Sequence, residues 1–103
     1  MIVYNVTVKI ENNIQSAWIE WVGNVFIPKV LNTKMFYDFK LLRLLNDTDE
    51  DGITYAIQFY AETLDDFEDF LNNHANDLIG EHKQKFLHQH VAFMTVLESI
   101  ELL

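Results

Sequence analysis

Several residue types are scarce or missing in this sequence, and each absence excludes a class of protein. There is no cysteine, which excludes a disulfide framework, a cysteine zinc site and a thiol nucleophile. One proline and three glycines leave no linker and no low-complexity stretch, and the sequence has no internal repeat. The 103 residues are therefore expected to form a single domain over positions 1–103, because a second domain would not fit.

Basic residues are also few. The chain has 7 lysines and arginines against 16 aspartates and glutamates, which gives a net charge of −9. A protein that binds nucleic acid needs a basic stripe that displaces counterions from phosphates. We therefore expect no nucleic acid and no anionic membrane as a partner, and the charge favours solubility. Nucleic-acid binding would require Lys29, Lys34, Lys40 and Arg43 to form one patch.

Long apolar runs are missing as well. No window approaches the roughly 20 apolar residues that a membrane-spanning helix needs. The first ten residues, Met-Ile-Val-Tyr-Asn-Val-Thr-Val-Lys-Ile, have neither the basic region nor the apolar region of a signal peptide. These features predict a cytoplasmic protein.

What the sequence does contain is hydrophobic alternation with a period of two, which predicts four strands. They are Ile2–Ile10, 36–45, Ile53–Ala61 and 91–100. The second and third strands flank a polar segment that ends in Gly52, and this pattern is typical of a hairpin.

Helical spacing predicts two helices between these strands. The first follows Asn12 and Asn13 as candidate N-caps, and Pro28 is expected to end or kink it. The second begins at Thr63, which forms a capping-box pattern with Asp66, and continues as one long helix. The order β-α-β-β-α-β predicts a ferredoxin-like α+β fold, a four-stranded antiparallel sheet with both helices on one face.

The two faces of this sheet differ in character. The more apolar face is assigned to the helices and contains Tyr4, Val6, Val8, Tyr55, Ile57 and Phe59. The other, called here the open face, has Val3, Asn5, Thr7, Thr54, Ala56, Gln58 and Tyr60 at its centre. It is nearly uncharged and partly apolar, whereas a solvated sheet face normally carries charged residues. We therefore expect a homodimer through the open face, since two-fold dimers are the commonest assembly.

The polar residues of the open face are the candidate binding residues. Asn5, Thr7, Gln58 and Tyr60 are predicted to face the space between the two sheets, with Arg43 reaching in from the edge. A few converging polar groups among apolar neighbours are typical of a small-molecule pocket, and a sealed dimer interface would have the same pattern. The sequence contains no recognisable catalytic arrangement or phosphate-binding loop, so the catalytic residues stay unknown.

Histidines and acidic residues offer no convincing metal site. His74 and His82 fall eight residues apart on the predicted second helix, a separation of about 12 Å that is too long for one ion. We expect both to be partly buried. His88 and His90 lie at the helix-to-strand junction without an obvious third ligand. The spacing of Asp47, Asp49, Glu50 and Asp51 does not fit a calcium loop, so no metal and no cofactor are expected.

The whole pattern resembles a known family. The chain is similar to short bacterial proteins of domain of unknown function 4286. The segments that carry this resemblance are Met-Ile-Val-Tyr-Asn-Val-Thr-Val at the start, Trp18-Ile-Glu-Trp21, Phe26-Ile-Pro-Lys-Val-Leu31, the stretch Gly52-Ile-Thr-Tyr-Ala-Ile-Gln58-Phe-Tyr and the stretch from Phe86 to Phe93. Members of that family often carry His immediately before Ile-Pro, where this chain has Phe26.

The resemblance implies the fold of the dimeric α+β barrels, a group that includes cofactor-free monooxygenases and haem-degrading enzymes. Two functions follow as hypotheses. The first is a dimeric module that binds a small molecule or a protein partner, and the alternative is an enzyme related to those oxygenases.

Overall fold

The sheet is antiparallel and four-stranded in the computed structural model, which describes residues 1–46, 48 and 50–103. The strands are β1 (Ile2–Ile10), β2 (Asp38–Arg43), β3 (Ile53–Ala61) and β4 (His90–Glu98), in the spatial order β2-β3-β1-β4. Strands β1 and β3 are therefore the central strands. Strand β2 is shorter than predicted, and β4 both begins and ends earlier. Asp47 and Asp49 of the predicted acidic turn lie outside the described residues.

The first helical region is a series of short segments. A 3-10 turn (Asn12–Ile14) leads into α1 (Gln15–Trp21), a π-helical turn (Val22–Phe26) and α2 (Ile27–Asn32). The predicted asparagine N-cap is not formed, because Glu11 and Ile14 occupy the cap positions without a side-chain cap. Pro28 lies in the first turn of α2, where its missing N–H is tolerated. It therefore marks where the π-helical turn gives way to α2.

The second helical region is divided, so the prediction of one long helix was wrong. Helix α3 (Leu64–Asn73) and helix α4 (Ala75–Lys85) meet at His74, whose φ of −130° and ψ of −32° interrupt the helix. Asparagines favour helix ends over helix interiors, and two of them precede the break. The predicted start is confirmed, since the Thr63 hydroxyl accepts a 3.1 Å hydrogen bond from the Asp66 amide.

The core lies between the sheet and the helices, as predicted. All six residues assigned to the helix-facing side are buried. Trp18 is fully buried and stacks on Tyr55 with ring centroids 4.8 Å apart, while Trp21 is only partly buried against the core. Buried aromatic side chains of this size dominate core energetics. The helices therefore anchor the sheet through large rings on its central strands.

Tyr4 connects this core to the edge strand β4. Its hydroxyl donates a 2.7 Å hydrogen bond to Met94 Sδ, and burial raises the pKa of Tyr4 to about 12. Beyond that contact, the helices leave much of β4 uncovered. Met94 and Val96 on its helix-facing side are about half exposed, at 51% and 49%. An apolar hollow therefore remains beside the edge of the sheet.

The open face carries no helix. Register pairs Val3 with Leu97 and Thr7 with Phe93. Exposed apolar side chains of β4 therefore extend the nearly uncharged central surface that the sequence predicts. Phe93 is 63% exposed and Leu97 46%. No helix in the described ranges is long and apolar enough to cross a membrane.

Candidate functional site

A cavity of about 530 Å³ lies on the helix-facing side of the sheet, beneath α4 and beside β4. It forms because the helices cover the central strands but not the edge strand. Its floor comes from the sheet, and its other walls come from Phe26, α4 and the turn after α4. The lining consists of Val6, Val8, Phe26, Ile57, Ile79, His82, Lys83, Leu87, His88, His90, Val91, Ala92 and Met94. The cavity, called here the α4 cavity, is thus mainly apolar with a few polar groups.

His82 is the buried polar residue of this wall. Trp18 Nε1 donates a 2.9 Å hydrogen bond to His82 Nε2. Indole nitrogen is only a donor, so Nε2 accepts and the proton of the neutral ring must be on Nδ1. Trp18 is the only hydrogen-bond partner of the His82 ring among the described residues. No fully sealed side-chain nitrogen or oxygen in that part of the chain lacks a partner, so Nδ1 is accessible, and the surface of His82 lines the cavity.

The surroundings of His82 keep its ring neutral. Centroids of the Phe26, Trp21 and Phe86 rings lie 5.6 to 5.9 Å from the centroid of His82. Burial, and to a smaller extent the neighbouring His90, lower the pKa of His82 to about 4. A charged imidazolium would lose its hydration in this apolar site. At neutral pH, His82 therefore presents an uncharged N–H donor to the cavity.

His90 is the second imidazole of the site. Its ring is perpendicular to that of His82, with centroids 4.8 Å apart. His90 Nδ1 lies 2.7 Å from the Phe86 carbonyl oxygen, which can only accept, so Nδ1 carries the proton. When the ring is neutral its lone pair is then on Nε2, so His90 offers an acceptor on a ring that neighbours His82.

A tight turn after α4 brings His90 to this position. The Phe86 carbonyl also accepts from the Gln89 amide at 3.0 Å, and His88 has a positive φ of 64°. Histidine is among the residues that tolerate this conformation best. His90 then opens β4 opposite Ile10. Lys83 and His88 line the cavity but are exposed, so they lie at its mouth.

The structure changes the grouping of the histidines. The predicted burial of His82 is confirmed, but His74 lies at the break between α3 and α4 whereas His82 lies within α4. His74 stacks on Phe70, with ring centroids 6.3 Å apart. The proximity of His82 and His90 was not predicted. Their eight-residue separation across the junction of α4 and β4 was the available signal. Among the described residues, no three His, Asp or Glu side chains are placed to share a metal ion.

Four of the five predicted binding residues lie together on the open face. Asn5 is directly opposite Gln58 in the register of β1 and β3. Asn5 Nδ2 donates to Thr7 Oγ1 at 3.0 Å, and the Tyr60 hydroxyl donates to Gln58 Oε1 at 2.8 Å. These groups thus satisfy one another in pairs.

Arg43 leaves the sheet from the face opposite to the open face, and its approach to the inter-sheet space stays a prediction. Register pairs Arg43 with Tyr55, whose buried side chain faces the helices. Directly opposite side chains lie on the same face of a sheet. The side chain of Arg43 is therefore on the other side of the sheet from Gln58.

A family model of domain of unknown function 4286 (DUF4286) matches residues 1–100. The chain belongs to this family. No curated protein matches this DUF4286 chain in sequence.

Solved structures share the fold of this DUF4286 protein at low sequence identity. A dimeric ferredoxin-like protein from an uncultured marine organism has a TM-score of 0.70 and 10% identity, over 99% of this chain and 97% of that one. The haem degrader MhuD from Mycobacterium tuberculosis, solved with two haems in its active site, has a TM-score of 0.70 and 17% identity, over 100% and 99%. A candidate antibiotic biosynthesis monooxygenase from Deinococcus radiodurans has a TM-score of 0.65 and 13% identity, over 100% and 96%. The ferredoxin-like fold is thus shared with dimeric, haem-degrading and monooxygenase-like proteins.

Proposed function

We propose that this DUF4286 protein is a homodimer that binds a small, mainly apolar molecule in the α4 cavity of each subunit. The observation that carries the proposal is the cavity itself, at about 530 Å³ with three imidazoles among mainly apolar side chains. Small-molecule sites have this size and this composition, with a few polar groups that orient the ligand. Because a donor on His82 and an acceptor on His90 are adjacent, the site suits a ligand with one polar end.

The dimer is supported by the open face. Its centre is nearly uncharged, and its polar side chains form two hydrogen bonds with one another, which lowers the number of polar groups that a second copy would have to satisfy. Phe93 and Leu97 add exposed apolar area at its edge. Structural neighbours are described as dimeric ferredoxin-like proteins. We accordingly propose that the polar residues of the open face contribute mainly to the dimer interface and only secondarily to ligand binding. They are Asn5, Thr7, Gln58 and Tyr60. A cytoplasmic location stays a prediction from the sequence.

Nucleic-acid binding has no support in the arrangement of the basic residues. Lys29 forms a 3.0 Å ion pair with Glu81, and Lys40 pairs in register with Gln58 on the open face while Arg43 lies on the opposite face. The patch that this function requires is therefore divided between two surfaces.

Native mass spectrometry of the protein purified from its own host tests the binding proposal. The expected result is a dimer with a reproducible extra mass. Ala92→Leu adds bulk to the cavity wall and should abolish the extra mass, whereas Asn76→Leu on the exposed side of α4 should retain it. If Gln58→Leu removes the extra mass while Ala92→Leu does not, the ligand lies between the sheets and the proposed site is wrong.

The second candidate function is an oxygenase-like or haem-degrading-like enzyme. It is favoured by His90 Nε2, an imidazole acceptor in an apolar cavity, which is a suitable general base. Absorbance titration with haem and measurement of oxygen uptake with the native ligand test it. Turnover that His90→Gln abolishes would support the enzyme, and a ligand recovered unchanged after aerobic incubation would contradict it.

A further inference from the structure

We propose that the ligand of the α4 cavity is an organic acid, an apolar body with one carboxylate or comparably acidic group. This inference rests on the proposed function and names its ligand class. It follows from the kinds of ionisable residue that line the cavity and from the hydrogen atoms that two of them carry.

The lining is basic in an acidic protein. The chain has 16 acidic and 7 basic residues, yet the ionisable residues that line the cavity are His82, Lys83, His88 and His90. No Asp or Glu of the described residues lines it. An acidic group would therefore meet a concave surface without acidic side chains, and an ammonium group would meet the like charge of Lys83.

The hydrogen-bonding pattern agrees with this charge. His82 lines the cavity, and its ring carries the proton on Nδ1 as a donor, because Nε2 already accepts from Trp18. His90 Nε2 has a lone pair that can share the proton of an acid, because Nδ1 is bound to the Phe86 carbonyl. A carboxylate that takes up one proton from solvent on binding can accept from His82 with one oxygen, and its other oxygen can share the added proton with His90 Nε2 in a charge-assisted hydrogen bond.

The remaining walls define the rest of the ligand. Val6, Val8 and Ile57 form the floor on the sheet, and Met94 continues it along β4. These residues offer no charge, so the body of the ligand is apolar. Lys83 and His88 at the mouth add attraction for an anion as it enters.

Three probes that share a naphthalene ring and differ in their polar group test the preference for an acid. They are naphthalene-2-carboxylate, naphthalene-2-carboxamide and 2-naphthylmethylammonium, and isothermal titration calorimetry of the purified dimer measures their affinities. The carboxylate should bind about tenfold more tightly than the amide, since one charge-assisted hydrogen bond has that effect. The ammonium probe should bind most weakly.

Two variants and one matched control locate the effect. Lys83→Gln and His90→Gln should each reduce the ratio of carboxylate to amide affinity at least about threefold, and retained amide affinity in Lys83→Gln is the sign of an intact cavity. Lys85→Gln makes the same charge change on the same helix but outside the lining, and it should leave the ratio unchanged.

Each failure has a distinct meaning. Equal affinity for the carboxylate and the amide would overturn the acid preference and leave the binding proposal standing. A ratio of carboxylate to amide affinity that neither Lys83→Gln nor His90→Gln changes would have the same meaning. Absence of binding by all three probes would contradict the proposed function itself, and this inference would fall with it.

Discussion

Trp18 and His82 are joined by a 2.9 Å hydrogen bond between side chains 64 positions apart, which connects α1 to α4 across the core. The bond fixes the tautomer of His82 and hence the donor that the α4 cavity receives. It also satisfies two buried polar atoms that would otherwise be costly. The relationship therefore supports both the fold and the site.

Trp18→Phe should destabilise the protein more than Trp21→Phe does. The first change removes the partner of His82 Nε2 within the core, whereas Trp21 is only partly buried. An unsatisfied buried acceptor costs about 1–3 kcal/mol, in addition to the lost ring volume at Trp18. Urea denaturation followed by circular dichroism measures the two free energies of unfolding. Equal losses in both variants would show that the hydrogen bond contributes nothing.

Acid should destabilise the fold through His82. Burial and then His90 lower the pKa of His82 from its ordinary 6.5 to about 4. Between these values the unfolded chain binds a proton that the folded chain does not, so the free energy of unfolding falls as the pH drops. The contribution is fully present above pH 6.5 and is lost as the pH approaches 4, on the order of 3 kcal/mol in total.

His82→Gln isolates this contribution from that of the carboxylates. We expect the difference in unfolding free energy between wild type and variant to be largest at pH 7.5 and to shrink by pH 4.5. Urea titrations at both pH values measure it. A difference that stays constant would mean that His82 is protonated equally in the folded and unfolded states.

Tyr60→Asp should weaken the dimer, because it puts a charge into a surface that a second copy would desolvate. The dissociation constant should rise at least about tenfold by analytical ultracentrifugation. Leu64→Asp is the matched control, since Leu64 is exposed at the start of α3 away from the open face. An unchanged dissociation constant for Tyr60→Asp would place the interface elsewhere.

Gly52→Ala should destabilise the hairpin end of β3. Gly52 has a φ of 144°, and a Cβ there would lie 2.5 Å from the Ile10 carbonyl oxygen. Strained backbone of this kind costs about 1–3 kcal/mol. Gly80→Ala within α4 meets no atom within 4 Å and should stabilise by about 0.5–1 kcal/mol. Thermal unfolding of both variants gives the comparison, and a lower melting temperature for Gly80→Ala than for Gly52→Ala would contradict it.

The strands and the core were predictable because their signals are local. Strands β1 and β3 alternate without interruption, so Tyr4 and Phe59 were correctly assigned to the buried side. Asp66 follows Thr63 at the spacing of a capping box, and the predicted cap is present. Local preference and tertiary packing agree at these positions.

The prediction was limited where a local pattern allowed two outcomes. Apolar spacing continues across Asn73 and His74, so the sequence predicted one helix where the structure has two. Arg43 was expected to reach around the edge, although its place in the alternation already put it on the face of Tyr55. Strand register determines the face from which a side chain leaves the sheet. How far a long side chain such as arginine then reaches around the edge cannot be deduced from spacing along the chain.

The sequence alone was enough to predict the order of the elements and the two faces of the sheet, and to exclude cysteine chemistry, because hydrophobic period and residue type act over short distances. It was not enough to predict the α4 cavity or the chemistry of its lining. They depend on Trp18 meeting His82 and on Phe86 orienting His90, and such contacts form only when distant segments pack together. Spacing along a chain does not specify which ring nitrogen carries a proton, whereas the partners around a folded histidine do.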